Sequence, residues 1–158
     1  MTLFLILALA GTWVSTGGDY MEAPSVELLG SSVDGTVIEV QTKGYMLQDS
    51  GPFSRFSIPG GAWDIDTPMG DPEMPLITVP IALPMGTVPV IENLEITWVN
   101  AGTGLPYPVQ PLEYDGGPGH YSFVELNRDL SGVYPAESAA FGETGTWAGV
   151  NTTVLRFY

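Results

Sequence analysis

Past residue 20, apolar side chains recur at every second position between turn-forming residues, and the spacing of an amphipathic helix fades from the pattern. In "NLEITWVN", Leu94, Ile96 and Trp98 share one face while Asn93, Glu95 and Thr97 share the other, which predicts a strand lining the core. In "NTTVLRF", Thr153, Leu155 and Phe157 alternate with Val154 and Arg156 in the same way. "SVELLGSSVDGTVIEVQ" predicts a hairpin, with Asp34-Gly35 as its two central turn residues and Ile38 and Val40 on one face. A fourth run, Ile77, Val79, Ile81 and Leu83, carries Pro75, Pro80, Pro84 and Pro89 before, inside and after it. Proline donates no hydrogen bond, so these positions belong to a sheet edge, a strand start or a corner. Pro84 followed by Met85-Gly86 predicts a tight turn, with glycine supplying a positive φ. "FSIPGGAWDI" and "IALPMGTVPV" share a strand, proline, glycine, strand layout, too short to establish a repeat.

Short strands punctuated by 20 glycines and 14 prolines, with no helical spacer, predict an all-β fold, an antiparallel β-sandwich of jelly-roll or immunoglobulin-like kind. At 158 residues and 44% hydrophobic content the chain can build one core. The opening "MTLFLILALAGTWVSTGG" has an apolar run from Leu3 to Ala10 and then small residues, without a basic segment before it. Residues 1–18 are read as an export signal or its remnant, with cleavage after Ala10 or near Thr16, and a first buried strand as the alternative. The run is too short to span a bilayer. Residues 19–158 are read as a single β-sandwich domain, secreted or at the cell surface.

Eighteen acidic against four basic residues repel phosphate backbones and anionic lipids, which argues against nucleic acid as a partner. With no cysteine, disulfides, thiolate metal sites and a cysteine nucleophile are excluded. One histidine, His120 in the glycine-rich "GGPGHYSF", supplies neither a multi-histidine metal set nor a triad; no metal or cofactor is expected. Asp64 and Asp66 in "WDIDTPMGD", with Asp71 and Glu73 beyond, have the spacing of paired carboxylates on one strand face, and a solvated face accounts for them more simply than acid/base work or Ca²⁺ binding. The chain is not expected to be an enzyme.

Gly70, Pro72, Met74 and Pro75 in "GDPEMP", followed by "ITVPIALPMGTVPV" with Pro84 and Gly86, resemble the G-x-P-x-L-P segment, strand, Pro-x-Gly and second strand of gingipain-type (family C25) cysteine peptidase propeptides, with Met74 in place of leucine. "GVYPAESAAFGETGTWAGVNTTVLRFY", with Tyr134-Pro135, resembles the Tyr/Phe-Pro segment and ensuing strand near the end of such prodomains. The resemblance implies a non-catalytic module that assists folding of a cysteine peptidase catalytic domain, keeps the zymogen latent and is removed after export. It also implies that the peptidase lies outside this chain and that the domain is truncated at its C-terminal end. A monomer is expected, partnered by the catalytic domain in cis or after cleavage.

Latency in this family is attributed to a basic residue entering the protease specificity pocket. Of Lys43, Arg55, Arg128 and Arg156, the resemblance favours Arg128 in "LNRDLSG", beside a glycine-bearing loop; a solvated arginine paired with Asp129 is the plainer account. The alternative function is a free-standing extracellular or cell-surface binding module for glycan or protein, using Trp63, Tyr107, Tyr114, Tyr121 or Trp147. In a cysteine-free sandwich Trp63 and Trp147 are expected to serve the core instead. Asn151-Thr152-Thr153 is a glycosylation sequon, meaningful only in a eukaryotic secretory route.

Overall fold

The computed structural model describes residues 11–18, 20–32, 34–98, 104–111, 122–127 and 134–158. Eleven strands and no helix appear among them: β1 (Thr12–Ser15), β2 (Ser25–Ser31), β3 (Thr36–Gln41), β4 (Gly44–Ser50), β5 (Phe53–Ser57), β6 (Ala62–Trp63), β7 (Pro75–Leu83), β8 (Leu105–Pro106), β9 (Ala139–Phe141), β10 (Gly145–Trp147) and β11 (Val150–Phe157). They form a sheet in the order β1-β4-β5-β8, a second in the order β10-β11-β7-β6 with β9 also on β11, and a separate β2-β3 ribbon. Every pairing is antiparallel except β5 with β8. The all-β, antiparallel expectation therefore holds.

The longest pairing joins β7 to β11, setting Val79 opposite Leu155 and Ile81 opposite Thr153. Val79, Leu155 and Thr153 are buried, so both predicted alternations are real. Thr153 buries a hydroxyl without cost because its Oγ1 donates to the Gly142 carbonyl at 2.9 Å. In the other sheet Phe53 anchors an aromatic cluster, its ring 6.2 Å from Tyr107 and 5.5 Å from Phe123.

The prolines of β7 now have a physical account. Pro80 lies opposite Val154, whose carbonyl accepts from Gly142 N–H on the far side of β11. In a β-strand the N–H and C=O of one residue point the same way, so Val154 turns its polar groups from β7 and the Pro80 nitrogen faces the outer edge. β6 reaches only Leu76 and Pro75, so beyond Leu76 no described strand covers that edge. Proline thus stands where the ladder requires no donor. The strand ends in the predicted turn: Thr87 N–H donates to Pro84 C=O at 3.3 Å and Gly86 has φ +77°. Pro84 is the first residue of that turn, not its first central one. The parallel stretch "IPGG" is a turn too, with Gly61 N–H on Ile58 C=O and Gly60 at φ +72°, so the two corners are alike in glycine placement and differ by one residue in proline placement.

Three expectations need correction. Residues 91–98 carry no strand, and Leu94, Ile96 and Trp98 are exposed rather than lining the core. Alternation makes one face apolar, but burial also needs a partner, and no described strand follows the Pro84 turn into the sheet. The β2-β3 hairpin exists, yet it is closed by Ser32 N–H on Gly35 C=O, and Gly35 lies outside the left-handed region. Trp147, expected in the core, is 77% exposed at the end of β10.

Residues 12–15, inside the stretch read as an export signal, form β1 on the edge of β4, with Trp13 opposite Met46.

Candidate functional site

The segment Gly70–Pro75 runs between the two larger sheets and is gripped from several sides. Gly70 N–H donates to Val109 C=O at 2.9 Å, Val109 N–H to Asp71 C=O at 2.8 Å, and Glu73 N–H to Tyr107 C=O at 2.7 Å. Pro72 and Pro108 form the bridge between these bonds, and both are fully buried. Each occupies the ladder position that asks for no N–H, so two prolines face one another at no hydrogen-bonding cost. Tyr107 N–H in turn donates to Ser54 C=O of the first sheet at 3.0 Å.

Asn127 closes the other side. Its N–H donates to Gly70 C=O at 2.8 Å and its Nδ2 to Met69 C=O at 2.7 Å. Gly70 has φ +84°, and a Cβ there would collide with the Asn127 amide. The glycine is thus required twice, by torsion and by space. Gln110 performs a similar task nearby: its Nε2 donates to Val124 C=O and its Oε1 accepts from Val124 N–H, both at 3.0 Å, so a side chain stands in for a ladder partner.

Arg55 of β5 crosses to Glu73, with Nε to Oε2 at 2.5 Å and Nη2 to Oε1 at 2.6 Å. The guanidinium also lies 4.7 Å from the Trp63 ring centroid and 5.4 Å from that of Tyr107. The hydrogen bonds to Glu73 raise the Arg55 pKa despite partial burial. A bidentate pair backed by two rings fixes the angle between β5 and the motif. Trp63 adds an Nε1–H bond to Phe56 C=O at 3.3 Å, so it serves as a bracket between sheets and not as a core filler.

On the opposite side of the motif lies a pocket of about 250 Å³ lined by Asp64, Asp66, Asp71, Met74, Tyr134, Pro135, Glu137 and Tyr158 among others. The Tyr134-Pro135 peptide bond is cis. Asp64 and Asp66 occupy a turn after β6 rather than a strand face: Asp66 N–H donates to Asp64 Oδ1 at 3.1 Å. Both meet Arg156 Nη1, at 3.4 and 3.1 Å, and the Tyr158 hydroxyl donates to Asp64 Oδ2 at 2.7 Å. Burial, then the bond to Asp64, raises the Tyr158 pKa above the usual phenol range. Asp64 and Asp66 are thereby committed to a cation and a phenol. Among the described residues no group of three or more acidic or histidine side chains is arranged to hold a metal.

No protein-family model and no curated protein match the sequence. A solved structure does match: that of gingipain K from Porphyromonas gingivalis, described for its zymogenic latency, at 20% identity and TM-score 0.70, covering 93% of this chain and 85% of that one. The chain shares the fold of that gingipain K structure.

Within this fold the motif residues fall into two places. Met74, with Asp71 of the same segment, meets Tyr134 and Pro135 around the pocket, although some 60 positions separate the two segments in the chain, while Gly70, Pro72 and Pro75 hold the segment in place without lining it. Pro84 and Gly86 lie at the far end of β7 and take no part in it. Arg128 and His120, with Tyr114 and Tyr121, lie outside the described residues. Asn127, Gln110 and Tyr158 were not singled out by the sequence. Only Asn127 offered a hint, as the residue immediately before Arg128.

Proposed function

We propose that the chain is the prodomain of an exported gingipain-type cysteine peptidase, assisting the fold of the catalytic domain and holding it latent. The observation that carries this reading is the shared fold over 93% of this chain with the gingipain K zymogen structure. The acidic, cysteine-free composition suits a secreted module. Arg128 is the proposed inhibitory side chain. Arg55 is committed to Glu73, Arg156 to Asp64 and Asp66, and Lys43 Nζ donates to Gln41 Oε1 at 2.9 Å. The residue before it in the chain, Asn127, is tied twice to the motif.

The test is titration of mature gingipain K with the recombinant chain. The expected result is saturable loss of peptidase activity, relieved by Arg128→Ala with little loss of binding. Absence of both binding and inhibition would refute the prodomain reading. The second reading, a free-standing binding module, is favoured by the exposed Trp147 and Trp98 rings, and glycan-array binding abolished by Trp147→Ala would support it.

A further inference from the structure

The β2-β3 ribbon pairs with neither of the larger sheets. Val26 lies opposite Val40 and Leu28 opposite Ile38, which makes a four-residue aliphatic ladder on one face. Such a ladder is what a strand pair buries against a core, yet on the β2 side Leu28 is 65% exposed and Val26 is exposed too, while Ile38 and Val40 on β3 are half-buried. A two-stranded ribbon alone in water is marginal. The other face sets Glu27 directly opposite Glu39, with Val37 and the bulged Leu29 exposed beside them. Like charges directly opposite destabilise a ribbon unless a cation lies between them. Among the described residues none is supplied: Lys43 is the first basic residue of the sequence, its Nζ is on Gln41, and Arg55 and Arg156 are engaged elsewhere.

We infer that the β2-β3 ribbon is a docking tongue that seats its Val26, Leu28, Ile38 and Val40 ladder on an apolar surface of the peptidase catalytic domain, whose rim carries Lys or Arg side chains facing Glu27 and Glu39. The inference rests on the prodomain reading and extends it with a second contact, distinct from Arg128. Charge complementarity selects this occupant. A second copy of the chain would bring another charge of −14 and another pair of facing glutamates, and residues 1–10 contain no cation.

Biolayer interferometry with mature gingipain K as the probe tests it, at low and at physiological salt, using the parent chain, Leu28→Ser, Val26→Ser and the double variant Glu27→Gln/Glu39→Gln. Circular dichroism and urea midpoints verify that each variant folds, as exposed positions on a ribbon allow. Each serine variant is expected to weaken binding about tenfold or more, and the double glutamine variant to flatten its salt dependence. If the parent binds and every ribbon variant binds equally with an unchanged salt response, the tongue is refuted and the prodomain reading stands. Weakening by the serines with an unchanged salt response in the glutamine variant overturns the basic rim. A parent that does not bind removes both the reading and the inference built on it. Concentration-dependent sedimentation of the parent, abolished by Leu28→Ser, would name a second copy as the occupant and overturn the proposal.

Discussion

Gly70→Ala is the substitution whose cost the structure specifies best. An alanine at φ +84° leaves the favoured regions for an L-residue, which costs about 1 to 2 kcal/mol. Its Cβ would also overlap the Asn127 amide, so Nδ2 must leave the Met69 carbonyl, forfeiting one exposed hydrogen bond of about 1 kcal/mol. The sum is about 2 to 3 kcal/mol, a large share of the stability of a domain this size. Urea unfolding followed by tryptophan fluorescence measures it as a lower midpoint with an unchanged slope. The two components separate in a double-mutant cycle. In an Asn127→Ala background the clash is absent, so Gly70→Ala should cost only the torsional part, and the coupling should come out near 1 kcal/mol. Additive single and double variants would show that Asn127 does not press on Gly70. A Gly70→Ala variant within about 0.5 kcal/mol of the parent would refute the left-handed torsion itself.

Three other perturbations test separate parts of the fold. The Tyr158 hydroxyl has its pKa raised by burial and by donation to Asp64, so its contribution is complete below the unfolded tyrosine pKa of about 10 and is lost as pH rises through the higher folded value; alkaline unfolding should begin there, and Tyr158→Phe should remove that step in a pH titration of ellipticity. Pro80→Ala should leave the urea midpoint nearly unchanged, because the new N–H faces the open edge of β7, while sedimentation reports more self-association; a large stability loss would place that nitrogen in the ladder instead. Relative to a chain beginning at Gly11, one beginning at Gly17 loses β1 and uncovers β4, lowering the thermal midpoint; equal midpoints would show β1 to be dispensable.

The strands that were legible from sequence are those whose partner lies in the same pattern. β7 and β11 each alternate, and their apolar faces meet in register at Val79 and Leu155. "NLEITWVN" alternates just as clearly and stays exposed, because periodicity records the shape of a side-chain face and carries no information about what covers it. The pocket was half legible: "GDPEMP" and Tyr134-Pro135 were singled out separately, and their meeting is a product of topology. Asp64 was read as solvated because the cation that neutralises it, Arg156, is 92 positions away, whereas Asp66, within reach of the same guanidinium, is exposed as expected. Gln110 was invisible for a related reason. An amide that replaces a backbone ladder partner looks like any surface glutamine until the strand it completes is in place.

Two uncovered surfaces among the described residues, the edge of β7 and a face of the β2-β3 ribbon, are treated differently by the sequence, and the difference bears on how the domain is used. Along β7 the edge is blunted by Pro80, a residue that removes a donor while leaving the inward ladder of Val79 and Ile81 intact. Pro75 and Pro84 close the two ends of that strand, so a passing strand finds little to pair with. Residues 25–41, which form the β2-β3 ribbon, contain no proline and no lysine, and the β2 half of their aliphatic ladder, Val26 and Leu28, is left facing solvent. A chain that guards one edge and leaves another apolar face open has not simply failed to protect itself. Selection against aggregation would act on both unless one is covered in the working state. Under the docking proposal the facing Glu27 and Glu39 would do double service: in the free chain they repel a second copy, and against the catalytic domain they would meet the basic rim that relieves their repulsion.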